Sequence, residues 1–231
     1  MQRRKFTSGL VSAGGLWGLA AWPTTQAAGI TEGDAALGVR AALERGAASA
    51  VSLLGRSGGF LDNPKVRIPL PGFLNEAAKL AKFTGQQRRV DELITAMNRA
   101  AEAAVPQARA LLTSAVESMS VEDGKQILTG GDNSVTEFFA RKTRAPLSVK
   151  FLPIVTRETA KVSLADKYNA LAGKVAATGL LKKDDANIQQ YVTGKALDGL
   201  YLMIGEEERK IRQNPVATGS AILSKVFGSL K

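Results

Sequence analysis

The sequence predicts an all-α fold: a single bundle-like helical domain carrying one long apolar loop rich in proline and glycine. Three observations predict it. Apolar residues recur at helical spacing along most of the chain after residue 31. Ser, Thr or Asp residues with an acid three positions on, the pattern of a helix N-cap, open several segments. The composition is 45% hydrophobic but only 6% aromatic. With alanine abundant, that suits closely packed helices better than a β-sandwich. A length of 231 residues supports one globular domain, or at most two small ones, with a proper core.

The first 27 residues read as an export signal. Arg3, Arg4 and Lys5 form a basic start. Phe6 to Trp22 is a glycine-diluted apolar stretch, and Pro23 ends it. Thr25 and Ala27 place small residues three before and one before a cut, so cleavage is expected after Ala27. The Arg3-Arg4-Lys5-Phe6 run is similar to the twin-arginine export pattern, although Gln2 and Thr7 depart from its fuller form. The domain proper is then 28–231. Its later segments are too polar to span a bilayer, and there is no Cys for a lipid anchor.

Thr31 to Leu54 reads as the first helix, with Thr31 and Asp34 as a cap pair and Gly55 as the stop. Arg56 to Pro71, RSGGFLDNPKVRIPLP, holds three prolines and two glycines and cannot be a long helix. Val66, Ile68 and Leu70 alternate there, allowing a short extended piece. A short helix is expected from Gly72 to Phe83. Gln86 to Met119 is strongly helical, broken or kinked at Pro106. Ser120 with Asp123 opens a short helix that stops at Gly130-Gly131, and Asp132 caps the next, which carries Val135, Phe138 and Phe139. Pro146 and Pro153 are expected to punctuate the chain after Phe139. Ser163 with Asp166 starts a further helix, and Asp184-Asp185 precede a long one reaching about Gln213. Ala196 to Gly205 is apolar nearly all round, marking the core helix. Beyond Asn214-Pro215 a last amphipathic helix carries Ile222, Leu223, Val226 and Phe227.

The chemistry is bounded by what is missing. The chain has no His and no Cys, so a thiolate nucleophile, a disulfide, a Cys-type zinc site and a His general base are all excluded. No catalytic residue, cofactor or metal site is read from the sequence. The net charge of +10 is scattered, with no long basic run and no basic–aromatic platform, so nucleic acid is not the expected partner. Gly55-Arg56-Ser57-Gly58-Gly59 matches the G-x-S-x-G string of hydrolase elbows, but a helix precedes it and no histidine exists to partner the serine. Gly130-Gly131 ahead of a helix could hold an anion, yet Asp132 can cap that helix itself.

Four residues are the candidate contacts. Lys65 and Arg67 interrupt the apolar pattern of the loop and should point outward. Asp198 lies inside the apolar run ALDGLYLMIG and is expected to be buried with a partner or to face a cavity, with Glu208 a few turns on beyond Glu206 and Glu207. Gly194, Gly199 and Gly205 interrupt the same helix, and close helix–helix approach is the expected reason, with a ligand cavity as the functional alternative. Asn98, Arg99 and Glu102, before the Pro106 kink, read as a solvated helix face.

The strings GGFLDNPKVRIPLP, NRAAEAAVPQA, ILTGGD, KYNALAGK and YVTGKALDGLYLMIGEEERKIRQNP together resemble the bacterial family called domain of unknown function 4197. The resemblance runs from about Thr31 to Gly228. It implies an exported all-helical envelope protein, some members having a lipoprotein cysteine that this chain lacks. It brings no activity and no catalytic residue. The expectation is a non-enzymatic binding or interaction protein of the cell envelope, periplasmic or secreted, whose partner is an envelope protein or an apolar small ligand. The alternative is a carboxylate-dependent hydrolase or metal-binding enzyme built on Asp198 and the Glu206–Glu208 region.

Overall fold

A computed structural model describes residues 32–74, 85, 87–131, 134–177 and 187–214. Seven α-helices are described: α1 Glu32–Leu54, α2 Gln87–Ala104, α3 Ala108–Glu117, α4 Val121–Thr129, α5 Ser134–Thr159, α6 Ser163–Ala177 and α7 Ile188–Gln213. Two 3-10 turns, Gly72–Leu74 and Val105–Gln107, join them, and no strand occurs among the described residues. The fold is all-α. The segment 67–71, where alternation allowed a strand, has no regular structure, although Val66 and Ile68 are buried and Arg67 and Pro69 exposed.

α7 is the core helix. It packs on α5, α1 and α2, and its buried residues run from Ile188 to Ile211. It starts where Asn187 caps it, the side chain accepting from the amides of Gln189 and Gln190 at 2.9 and 3.1 Å. That satisfies two of the N–H groups a helix start leaves open. Pro106 separates α2 from α3 within a 3-10 turn, as a missing amide requires. Ser120 and Asp123 form a reciprocal capping box at the start of α4, and that contact with the Ser120 amide holds the Asp123 carboxyl below its ordinary range. The expected caps Thr31 and Asp132, the pair Asp184-Asp185, residues 75–83 of the expected short helix and the expected last helix beyond Asn214 lie outside the described residues.

Pro146 and Pro153 do not punctuate the chain; both lie inside the single 26-residue helix α5. Each removes one i→i−4 hydrogen bond. Both rings sit on the exposed side, where water reaches the freed carbonyls. On the other side Phe139, Thr143, Leu147, Phe151, Val155 and Thr159 form an unbroken row four residues apart, all buried. Tertiary packing of that row overrides the local cost.

Candidate functional site

The irregular segment after α1 lies against α2 and α7 as part of the core. It leaves the helix with the Gly55 amide donating to the Val51 carbonyl at 2.9 Å and then turns at Gly58, whose φ is +81°. A side chain at Gly58 would be strained and would meet the Asp62 carboxylate. Asn63 then organises the next turn, its carbonyl accepting from Val66 and Arg67 at 3.1 and 2.8 Å. Phe60 is 0% and Ile68 1% exposed, and Val66 is buried with them. Phe60 and Val66 sit against Gly199 of α7. A Cβ on Gly199 would lie 2.8 Å from Phe60 Cε1 and 3.2 Å from Val66 Cβ. Gly199 thus admits the loop rather than a neighbouring helix. Gly205 admits a helix as expected: a Cβ there would lie 2.8 Å from Thr136 Oγ1 of α5. At Gly194 an added Cβ would meet nothing within 4 Å among the described residues, so close approach is not its reason.

Two polar side chains of α2 hold this loop down, and the sequence reading of Asn98, Arg99 and Glu102 as a solvated face is wrong for two of them. Asn98 is fully buried and Glu102 only 4% exposed. One oxygen of Glu102, Oε1, accepts the backbone amides of Phe60 and Leu61 at 3.0 and 3.1 Å. Its other oxygen pairs with Arg99 at 2.7 Å, and Arg99 also donates to Ser57 at 2.7 Å. One turn back, the Asn98 amide closes a two-way pair with Ile68, Oδ1 accepting its N–H at 2.8 Å and Nδ2 donating to its carbonyl at 2.9 Å. It donates to Ile94 O as well. At the exit Tyr191 of α7 donates its hydroxyl to the Pro69 carbonyl at 3.1 Å. An irregular buried segment lacks partners for its own amides; here side chains supply them. The signal was in the sequence. Asn98 and Glu102 sit on the apolar stripe of Met97, Ala101 and Ala104, where a solvated residue does not belong.

The four candidate contacts are dispersed. Lys65 is exposed and its ammonium reaches Glu206 Oε2 at 2.5 Å; Lys65 and Arg209 together hold the Glu206 carboxyl below its ordinary range. Arg67 is exposed and donates to the Leu61 carbonyl at 3.3 Å, staying on the loop's own surface. Asp198 is neither buried nor in a cavity. Its side chain is 52% exposed and pairs with Arg144 of α5 at 2.6 Å. A helix buried on α1, α2 and α5 still leaves a narrow outer strip, and Asp198 falls on it with Lys195 and Leu202. Glu208 is buried on another side of α7, lining a small pocket with Val39 and Leu43 of α1, and pairs with Arg212 at 2.7 Å. The structure therefore brings Lys65 and Asp198 to one face, around Leu202, and does not bring Asp198 and Glu208 together.

Beneath that face Arg144 also stacks 5.3 Å from the centre of the Tyr201 ring. Burial pushes the Tyr201 phenol above its ordinary pKa, and its hydroxyl meets Thr143 at 2.9 Å. At Gly130-Gly131 a cavity of about 330 Å³ is lined by Asp123, Glu137 and Arg141, so acids outnumber the base an anion would seek. Among the described residues no group of three acids could hold a metal ion, and no helix is long and apolar enough to cross a membrane.

No curated protein and no solved structure matches the chain. A family model described as Protein of unknown function (DUF4197) matches residues 29–228. Its span takes in the latched loop, its two anchors on α2 and Gly199 of α7, and the chain belongs to that family.

Proposed function

We propose that this protein is a non-enzymatic interaction protein of the bacterial cell envelope, exported through the signal at 1–27 and cleaved after Ala27. The observation that carries the reading is the state of the α7 carboxylates. Asp198, Glu206, Glu207 and Glu208 each pair with an Arg or Lys at 2.5–2.7 Å; Asp198 and Glu206 lie along the outer strip, while Glu208 is buried on another side of the helix. A carboxylate held by a cation is a poor base and a poor metal ligand, which weighs against the hydrolase alternative. The partner surface is the outer strip of α7. Leu202 is 42% exposed there, between the Lys65–Glu206 and Arg144–Asp198 pairs. An apolar side chain ringed by charges fits a small protein contact, with an envelope protein the favoured partner over an apolar small ligand.

The test is quantitative co-purification from the native periplasm, comparing the parent with Leu202→Arg and Lys65→Glu. A partner retained by the parent and lost from both variants, at unchanged melting temperature, supports the reading. Equal recovery from all three overturns the surface. Intact mass should place the mature N-terminus at Ala28; recovery of only uncleaved cytoplasmic chain overturns the export assignment.

A further inference from the structure

α5 carries a second surface, separate from the outer strip of α7. From Phe138 to Arg157 the sequence holds Arg141, Lys142, Arg144, Lys150 and Arg157 and no acid. The two prolines define which side of this stretch is bare. Lys142, Pro146, Val149, Lys150, Pro153 and Arg157 recur at intervals of three and four and are all exposed. A stripe of that kind is a single helix face, about 22 Å long at 1.5 Å per residue. Val149 is 75% exposed at its centre, the barest large apolar side chain among the described residues.

The cations of the stripe are only weakly compensated. Arg157 lies 3.2 Å from Glu158, but Glu158 is shared with Lys161 at 2.5 Å, leaving the trio positive. Lys142 acts on Asp123 through space without a direct ion pair. Lys150 pairs with no acid among the described residues. At the edges Arg141 and Arg144 reach Asp123 and Asp198 at 3.6 and 2.6 Å, so the acids lie beside the stripe and not on it.

We propose that this face of α5 docks on an anionic phospholipid surface. A stable protein partner needs a buried core with aromatic anchors, and the stripe offers one valine and two proline rings. Single-stranded nucleic acid needs aromatic stacking platforms, and the stripe has none. A bilayer surface needs neither. It is an extended sheet of negative charge that attracts each nearby Lys or Arg, and Val149 with the proline rings can settle at the headgroup boundary.

The experiment is co-sedimentation with phosphatidylcholine vesicles prepared with and without phosphatidylglycerol. It uses the full chain and, in parallel, the chain from Ala28, which retains every described contact. A triple variant, Lys142→Ser, Lys150→Ser and Arg157→Ser, removes the stripe's charge. A control triple variant, Arg88→Ser, Arg109→Ser and Lys167→Ser, removes equal charge from other exposed positions. Circular dichroism and a thermal melt confirm that both fold. The expected result is binding only to the anionic vesicles, weakened by added salt and reduced roughly ten- to a hundredfold by the α5 variant alone. Equal loss in the control would mean net charge and not this face, and would overturn the proposal. So would no binding to anionic vesicles by the chain from Ala28. Binding of duplex DNA in place of vesicles, lost in the α5 variant, would assign the face to nucleic acid and overturn it as well.

Discussion

Gly194 and Gly199 lie five residues apart in one helix and look alike in the sequence, but their surroundings separate them. At Gly199 an added methyl meets the ring of fully buried Phe60, which has no room to withdraw. Gly199→Ala should cost about 1–3 kcal/mol by overpacking. Gly194→Ala should be neutral, or stabilise by up to about 1 kcal/mol through helix propensity. Paired thermal melts check this; equal effects would mean that the loop is not seated on α7. Asn98→Ala leaves the Ile68 amide and carbonyl buried without partners and should cost about 2–4 kcal/mol. Asp198→Ala breaks an exposed pair and should cost at most about 1 kcal/mol. A melt that reversed the order of these two would contradict the burial described for each. A glycine inside an apolar helix announces a close approach, which is why the sequence marked Gly199 and Gly205. It does not say what approaches, because that depends on a segment more than a hundred residues away. Asp198 misled for a related reason. Apolar neighbours in sequence are not neighbours in space on a helix, and Asp198 falls in the narrow exposed arc.

The loop and α5 are the two elements where local rules and tertiary packing disagree. The loop's apolar character was legible in the sequence, and Phe60, Val66 and Ile68 are buried. What held them was less legible, since Asn98 and Glu102 were read by residue type and not by their place on an apolar stripe. Substituting Ile68 and Leu70 by Ser should lower stability by about 3 kcal/mol or more, a drop in melting temperature of roughly 10 °C. An unchanged melt would return the loop to the surface. In α5, six buried apolar side chains, Val135, Phe138, Phe139, Leu147, Phe151 and Val155, each contribute about 1.5–3 kcal/mol. Together they outweigh two prolines at about 3 kcal/mol each. Proline's rule is written for a helix standing alone, and α5 does not stand alone.

At the scale of the whole molecule, the all-α architecture followed from composition, caps and periodicity, because those signals recur along the chain and two misread prolines do not undo them. Function did not follow, since the sequence offers no recognised motif and the family brings no assigned activity. The absence of His and Cys has a measurable consequence. Stability should be flat between about pH 5 and pH 8, where no side chain of ordinary pKa titrates. Asp123 and Glu158 have carboxyls held below their ordinary values, Asp123 by the Ser120 amide and Glu158 by Lys161. What they contribute is therefore present above the ordinary carboxylate range and lost as pH falls through the lowered values. A melting temperature that changed steeply near neutrality would contradict this.

An irregular, proline-rich segment is part of the core, latched from α2 by Asn98 and Glu102 and seated on Gly199 of α7. Native-state amide hydrogen exchange tests it most directly. The amides of Phe60, Leu61 and Ile68, which donate to buried side chains, should exchange only through global unfolding, with the same free energy as the buried amides of α2 and α7. Exchange of those three at the rate of open chain, while α2 and α7 stay protected, would contradict it.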